Sequence, residues 1–211
     1  MTVTEKKTDL VKRRTEQILA SAKRIFAQDG FRRTQLDHIA ADLNVGKGTL
    51  YRYFKDKKSL FLAVFNQGVE HLLLAMAENV EPITDPKKKI AAAVKTYFEF
   101  FDNDRQLIEL MMQVRSEFKD DYRRIFLEVY SDYIVKIQDT IKTGIKTGVF
   151  RNLDVEKTAE AFSAMLHGVL QDFYVREFGP DGGITKKELL TDKIDAVSSL
   201  LMEGLLERGN K

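Results

Sequence analysis

The chain has 211 residues, 44% hydrophobic, with three prolines and no cysteine, which excludes disulfides and thiolate metal sites, provides for a real core and favours an all-helical fold. No run of about eighteen apolar residues stands out and no signal-like hydrophobic stretch opens the chain, so a cytosolic protein without a membrane span is expected. The net charge of +2 hides an asymmetry: residues 1–60 carry 14 Lys/Arg against 7 Asp/Glu, net +7, and the remainder 20 against 25, net −5, so the basic head reads either as a surface that meets phosphates or as a plain solvated one.

In chain order, Met1–Lys7 is polar, and Lys6 and Lys7 are candidates to track nucleic acid. A first helix is expected from about Thr8 to Gln28. Ile18, Leu19, Ala22, Ile25 and Phe26 form its inner face, Gly30 its end, and Phe31 the hydrophobic contact after a glycine cap. Arg13, Arg14, Arg32 and Arg33 are candidate phosphate contacts or simple surface charge. Thr34 followed by Asp37 reads as an N-cap with an acidic third position. Leu36, Ile39, Ala40 and Leu43 then recur with the spacing of one buried helix face. Asn44 tolerates the left-handed conformation that ends a helix. Gly46-Lys47-Gly48-Thr49 opens a second short helix carrying Leu50, Tyr51 and Phe54. Asp56 caps a third, with Leu60, Phe61, Val64 and Phe65 inward.

Two short helices joined by a tight turn make a helix-turn-helix, whose second helix enters the major groove. The residue types suit that task. Gly46 and Gly48 let backbone approach a duplex closely, and Lys47 and Thr49 present donors to base edges. Thr34, Tyr51, Tyr53 and Lys57 are candidates for phosphates, and Arg52 completes the candidate DNA-binding set.

The run IAADLNVGKGTLYRYFKDKKSLF resembles the TetR/AcrR family of bacterial transcriptional regulators. The resemblance rests on Ile39-Ala40, Val45, Gly48-Thr49-Leu50-Tyr51, Tyr53-Phe54, Lys57 and Leu60. Asn44 stands in place of the family's turn glycine and accepts the same backbone angles. Gly46 stands where a serine-like cap is common, and as an N-cap it is only about a few tenths of a kcal/mol worse. The resemblance implies an all-α fold of about nine helices. Residues 1–55 would be the helix-turn-helix DNA-binding domain and residues 56–211 a helical ligand-binding and dimerisation domain.

The third helix of the motif is expected to run on to about Asn79, past His71, a candidate pH-sensing or packed histidine. Residues 81–86 break the chain, and Asp85 with Pro86 restarts it as cap and first helical position. Helices are then expected over Lys87–Phe101, Arg105–Val114 and Ser116–Thr143, the last ended by Gly144 and Gly148. Asp154 caps a helix to about Phe178, in which Val155, Ala159, Phe162, Leu166, Val169 and Phe173 form a heptad-like stripe. Pro180–Gly183 is a loop. A last helix from about Thr185 to Glu207 places Leu190, Ile194, Val197 and Leu201 at the same spacing. Periodicity says only that these helices are amphipathic. The family resemblance implies a homodimer seam through Phe162, Leu166, Val169, Phe173, Leu190, Ile194, Val197 and Leu201.

The middle of the body is rich in aromatics and methionine, which suit either an ordinary core or a site for a bulky apolar or aromatic small molecule. Phe98, Phe101, Met111, Arg115, Phe118, Tyr122, Phe126, Phe162, Met165 and His167 are the candidate ligand contacts. Gln113, Arg115, His167 and Asp172 are the polar groups available to orient a ligand. His38, His71 and His167 have no metal spacing, no phosphate-binding glycine loop follows a strand, and no catalytic constellation is evident. No cofactor is expected. The reading is a homodimeric, non-enzymatic regulator of double-stranded DNA, released from a palindromic operator by a small molecule. The alternatives are a regulator without a ligand switch or one that activates, a helical enzyme with a similar head, and a non-specific nucleoid protein.

Overall fold

The computed structural model describes residues 3–178 and 189–206. Among them nine α-helices carry the chain and no strand forms, as an all-α fold requires. They are α1 (Val3–Arg33), α2 (Leu36–Asp42), α3 (Lys47–Tyr51), α4 (Lys57–Asn79), α5 (Pro86–Asn103), α6 (Arg105–Glu117), α7 (Lys119–Lys146), α8 (Val155–Phe178) and α9 (Ile194–Leu205), with a 3-10 turn, Leu190–Lys193, leading into α9. The loop expected at 180–183, the helix ends expected at Thr185 and Glu207, and the side chains of Lys6, Lys7 and Tyr130 lie outside the described residues.

The chain packs as two compact units. One comprises Met1–Glu70 with Gln106–Lys119, the other His71–Arg105 with Asp120–Lys211. A boundary at 55/56 divides the chain by motif, whereas this division follows packing. The core of the first unit is Ile18, Ala22, Phe26, Ile39, Leu50, Leu60 and Phe61, joined by Leu107, Ile108, Leu110 and Val114 of α6, each 2% exposed or less. The core of the second draws on Val94 and Phe98 of α5, Ile141 of α7, and Phe162, Leu166 and Leu170 of α8.

Local chemistry sets most helix ends. Gly30 sits at φ 79°, ψ 154° inside α1 and breaks its helical path three residues before Arg33. Asn44 takes φ 51° after α2, the left-handed angle that Asn tolerates. Asp56 and Ser59 cap α4 reciprocally: Ser59 N–H donates to Asp56 Oδ1 at 2.7 Å, and Asp56 N–H donates to Ser59 Oγ at 3.0 Å. Asp85 accepts from Lys88 N–H at 2.9 Å ahead of Pro86, and Asp154 accepts from Lys157 N–H at 3.1 Å.

One expectation fails at this level. Thr34 does not cap α2, whose N-cap is Gln35 without a side-chain bond. Thr34 donates both its amide and its hydroxyl to the Gly30 carbonyl, at 3.1 and 2.8 Å, and so closes α1 instead. An apolar stretch of membrane-spanning length also exists, because α4 is long and apolar enough by composition to cross a bilayer. Its Leu60, Phe61, Val64 and Phe65 are buried in the first unit.

The last helices are tied down by a group that reads in the sequence as a turn residue. Asp102, at the end of α5, accepts from the amides of Leu190 and Thr191 at 2.9 and 2.8 Å, the exposed donors that open the 3-10 turn. Arg105 supports the same corner, paired with Glu177 at 2.8 Å and lying 5.1 Å over the Phe173 ring. After α7, Gly148 at φ 71° turns the chain and returns Phe150 onto α7. A Cβ on Gly144 would lie 2.0 Å from Phe150 Cδ2, within a ring that is 2% exposed. Gly144→Ala is therefore expected to destabilise by about 1–3 kcal/mol through overpacking, a fall in Tm of roughly 3–10 °C for a chain of this size. Gly204→Ala, with open space around the new Cβ, is the control and is expected to leave Tm unchanged or slightly raised; thermal unfolding of both variants checks this.

Candidate functional site

The head of the first unit presents its second helix outward. Gly46 is the N-cap of α3, with φ −71° and ψ 146°. Gly46, Lys47, Gly48, Tyr51 and Arg52 are exposed, Thr49 and Tyr53 half-buried, and Leu50 anchors the helix at 1% exposure. Behind α3 runs a groove of about 750 Å³ whose far wall on α1 includes Arg13, Arg14 and Gln17. Arg13 is paired with Asp9 at 3.0 Å and Arg14 donates to Gln17 at 3.1 Å, so both side chains are held beside the recognition helix. Lys47 pairs with Asp37 at 3.0 Å, and that hydrogen bond raises its pKa above the ordinary lysine value. Asp42 fixes α2 to α1 through Ser21, at 2.6 Å, and Arg24. The Ser21 and Arg24 hydrogen bonds hold its carboxyl below the ordinary aspartate range.

Glycine at 48 has no intramolecular reason. Its φ is not left-handed, and an added Cβ would meet nothing within 4 Å. A glycine inside a helix costs about 1 kcal/mol relative to alanine. The missing side chain leaves the outer side of α3 open to close approach by another surface, as the DNA-binding expectation requires.

Two residues expected on phosphates are engaged internally. Thr34 is 1% exposed with its hydroxyl proton on Gly30. Lys57 directs its ammonium at three carbonyls at the end of α1, Phe31 at 2.7 Å, Thr34 at 2.9 Å and Arg32 at 3.3 Å, and lies 4.4 Å over the Phe31 ring. All three N–H donors are thereby in use. Gln113 of α6, a candidate for orienting a ligand, braces the same joint: its Oε1 accepts from Phe31 N–H at 2.8 Å and its Nε2 donates to Phe26 O at 3.0 Å. Glu117 takes the Arg32 guanidinium at 2.8 Å, and Phe118 meets Phe31 edge-on at 4.7 Å.

The ten candidate ligand contacts divide between the two packing units. Met111, Arg115 and Phe118 belong to the first packing unit and the other seven to the second. Arg115 is exposed, and Phe118 is part of the Phe31–Phe61 cluster. The second unit contains a cleft of about 600 Å³ between α4, α5 and α7, with Met76, Ile90, Val129, Tyr133, Ile137 and Phe162 among its walls. Only Phe162 of the ten lines it, and Met165 lines a smaller cleft of about 320 Å³. Phe98 and Phe101 are plain core at 0% and 2% exposure. Tyr122, Phe126 and His167 stack next to one another, with centroids 5.8 and 5.9 Å apart, and Tyr97 lies 5.9 Å from His167. Asp172 is a solvated partner of Arg176. No group of three metal-ligating side chains occurs among the described residues.

The residues expected on the dimer seam also take another role. Phe162, Leu166, Phe173, Leu190, Val197 and Leu201 are buried within their own chain, and Val169 and Ile194 are half-buried. A heptad stripe marks the most apolar helix face; in a multi-helix unit that face closes the internal core. The outward apolar side chains of this region are Val175 and Leu200, 60% and 64% exposed.

Two substitutions separate these roles. Gly48→Ala is expected to keep or raise Tm while weakening duplex binding at least several-fold in a gel-shift titration. Lys57→Met is expected to lower Tm by roughly 3–10 °C, because losing a charged donor from part-buried carbonyls costs about 1.5–3 kcal/mol; an unchanged Tm would return Lys57 to the DNA face.

The comparisons with known proteins agree with this geometry. The family model for bacterial regulatory proteins of the tetR family matches residues 18–64, and the model for the tetracyclin repressor-like C-terminal domain matches residues 84–201. The transcriptional activator FasR of Mycolicibacterium smegmatis is 31% identical over 109 residues, covering 52% of this chain and 47% of FasR. A transcriptional regulator from Saccharomonospora viridis, solved with choline, superposes with a TM-score of 0.79 at 21% identity, covering 93% of this chain and all of that one. The regulator FadR of Bacillus subtilis, solved with stearoyl-CoA, gives 0.72 at 23% identity over 90% of this chain and 98% of its own. With the head and the C-terminal region both matched, the chain belongs to the TetR family of DNA-binding transcriptional regulators.

Proposed function

We propose that the protein is a homodimeric repressor that binds a palindromic operator in the bacterial cytosol and is released from it by a small apolar or amphipathic molecule. The observation that carries the reading is the open side of α3, where Lys47, Gly48, Tyr51 and Arg52 are exposed and Thr49 and Tyr53 half-buried; Lys47, Gly48 and Thr49 would face bases, and Tyr51, Arg52 and Tyr53 phosphates. Residues 1–55 would bind DNA and residues 56–211 would bind the ligand and the second copy. Two heads would then reach successive major grooves of one duplex. Val175 and Leu200 supply the apolar surface for pairing.

The roughly 600 Å³ cleft supports a ligand site, being mostly apolar with a few polar groups. FadR with stearoyl-CoA and the S. viridis regulator with choline are relatives of this fold that hold amphipathic and cationic ligands. A ligand that fits only a dimer with splayed heads shifts the population away from the DNA-competent spacing and lowers operator affinity. FasR, by name an activator, favours the second reading, in which the same head recruits rather than blocks transcription.

Selection of bound duplexes from a random library tests the DNA half. The wild type is expected to enrich an inverted repeat, with affinity falling steeply as salt rises, and Lys47→Ala to change the preferred half-site. Enrichment without symmetry, or a preference that Lys47→Ala leaves intact, would overturn paired base reading by this residue.

A further inference from the structure

We propose that the ligand taken by the second unit carries an uncharged oxygen, a carbonyl or hydroxyl, in its buried part, and that the hydroxyls of Tyr133 and Ser163 hold it. This deepens the ligand-switch reading above and rests on it. Tyr133 is a wall of the cleft, and Ser163 follows Phe162, another wall. Both hydroxyl oxygens are closed off from solvent, and neither has a hydrogen-bond partner. Buried polar atoms are nearly always satisfied, so two orphans in one unit call for a partner from outside the chain.

Ser163 is the sharper case. A hydroxyl on a helix ordinarily returns its proton to the carbonyl four residues back. Thr15, Thr140, Thr143 and Thr147 all do so in this chain. Ser163, at 1% exposure, does not. Its carbonyl instead accepts from His167 Nδ1–H at 2.9 Å, and the His167 ring lies 5.9 Å from Tyr97. Burial pushes the Tyr97 phenol well above the ordinary tyrosine value, and Tyr133 and Tyr122 add to that shift. Tyr133 faces the cleft directly, and we take Ser163, next to the cleft wall Phe162, as belonging to the same polar patch.

The charge of the patch narrows the ligand class. Tyr97, Tyr122, Tyr133, Ser163 and His167 include no Lys, Arg, Asp or Glu, so a buried carboxylate, phosphate or ammonium would find no counter-charge and carry its full desolvation cost. The charged side chains of the cleft lining are Glu81, Lys89, Asp132, Lys136 and Asp139; Asp132, Lys136 and Asp139 are exposed, Lys136 pairs with Glu81, and Lys89 donates to the Glu81 carbonyl. A charged head, where a ligand has one, stays outside with them. A plain hydrocarbon would leave both hydroxyls unpaired.

Benzophenone and diphenylmethane match in size and differ by one carbonyl. Calorimetric titration of the full-length protein is expected to show benzophenone binding about tenfold tighter, the ratio of one ordinary hydrogen bond. Tyr133→Phe and Ser163→Ala should each shrink that ratio toward unity and leave diphenylmethane affinity in place. Neither variant should melt below the wild type without ligand, since each removes an unsatisfied group. Equal affinity in the wild type, no binding of either probe, or a ratio that survives both substitutions would overturn the proposal. Retention of the ratio with no effect of benzophenone on duplex binding would support the oxygen-selective site and sink the switch.

Discussion

The joint at the end of α1 is the constraint on which the DNA-binding head depends. Gly30 takes a left-handed angle there, so several backbone carbonyls around it point away from helical partners. Lys57 from α4 gathers three of them, Thr34 closes onto Gly30, and Gln113 from α6 ties Phe31 N–H and Phe26 O. The joint is part-buried, so carbonyls that lost these donors would be partly rehydrated, at a cost toward the low end of about 1–3 kcal/mol each. The first unit is thus closed by side chains from helices remote in sequence, and α2 and α3 are positioned on that closed frame.

This arrangement redistributes the work among the motif residues. Lys57 and Thr34 hold the frame, which leaves Lys47, Thr49 and Tyr51 of the five-residue α3, with Arg52 at its C-cap, as the candidates to face a duplex. Gly48 adds access for backbone, not conformational freedom. The pairing of Lys47 with Asp37 keeps the lysine near α2 until a stronger anion replaces the carboxylate. Because Gln113 and Glu117 lie on α6, movement of that helix acts on the α1 end directly.

Features set by neighbouring residues were legible in the sequence. The caps Asp56, Asp85 and Asp154, the left-handed Asn44 and the α3 start at Gly46 all depend on local backbone geometry that residue type largely dictates. Features set by partners far along the chain were not. Nothing near Lys57 tells whether its ammonium meets a phosphate or three carbonyls. Gln113 and Asp102 give no local signal that their partners lie 82 and 88 residues away. The heptad stripe on α8 identified an apolar face but not its partner, because periodicity carries no information on which surface covers it, and most of that face is buried within its own chain. The aromatic-rich middle does not separate pocket from core for the same reason: Phe98 and Phe101 are as apolar as any cleft wall, yet they are fully buried in the core.

The central claim is that a rigid head works in pairs and that the spacing of the pair is what regulation changes. The chain has no cysteine, so Ala20→Cys on the exposed side of α1 places one spin label in each protomer. Pulsed electron–electron dipolar spectroscopy then reads the distance between two heads. The account predicts a single narrow distance when the selected operator duplex is bound and a shifted or broader distribution without it. The same distribution with and without the duplex, or no dipolar coupling at all, would contradict it.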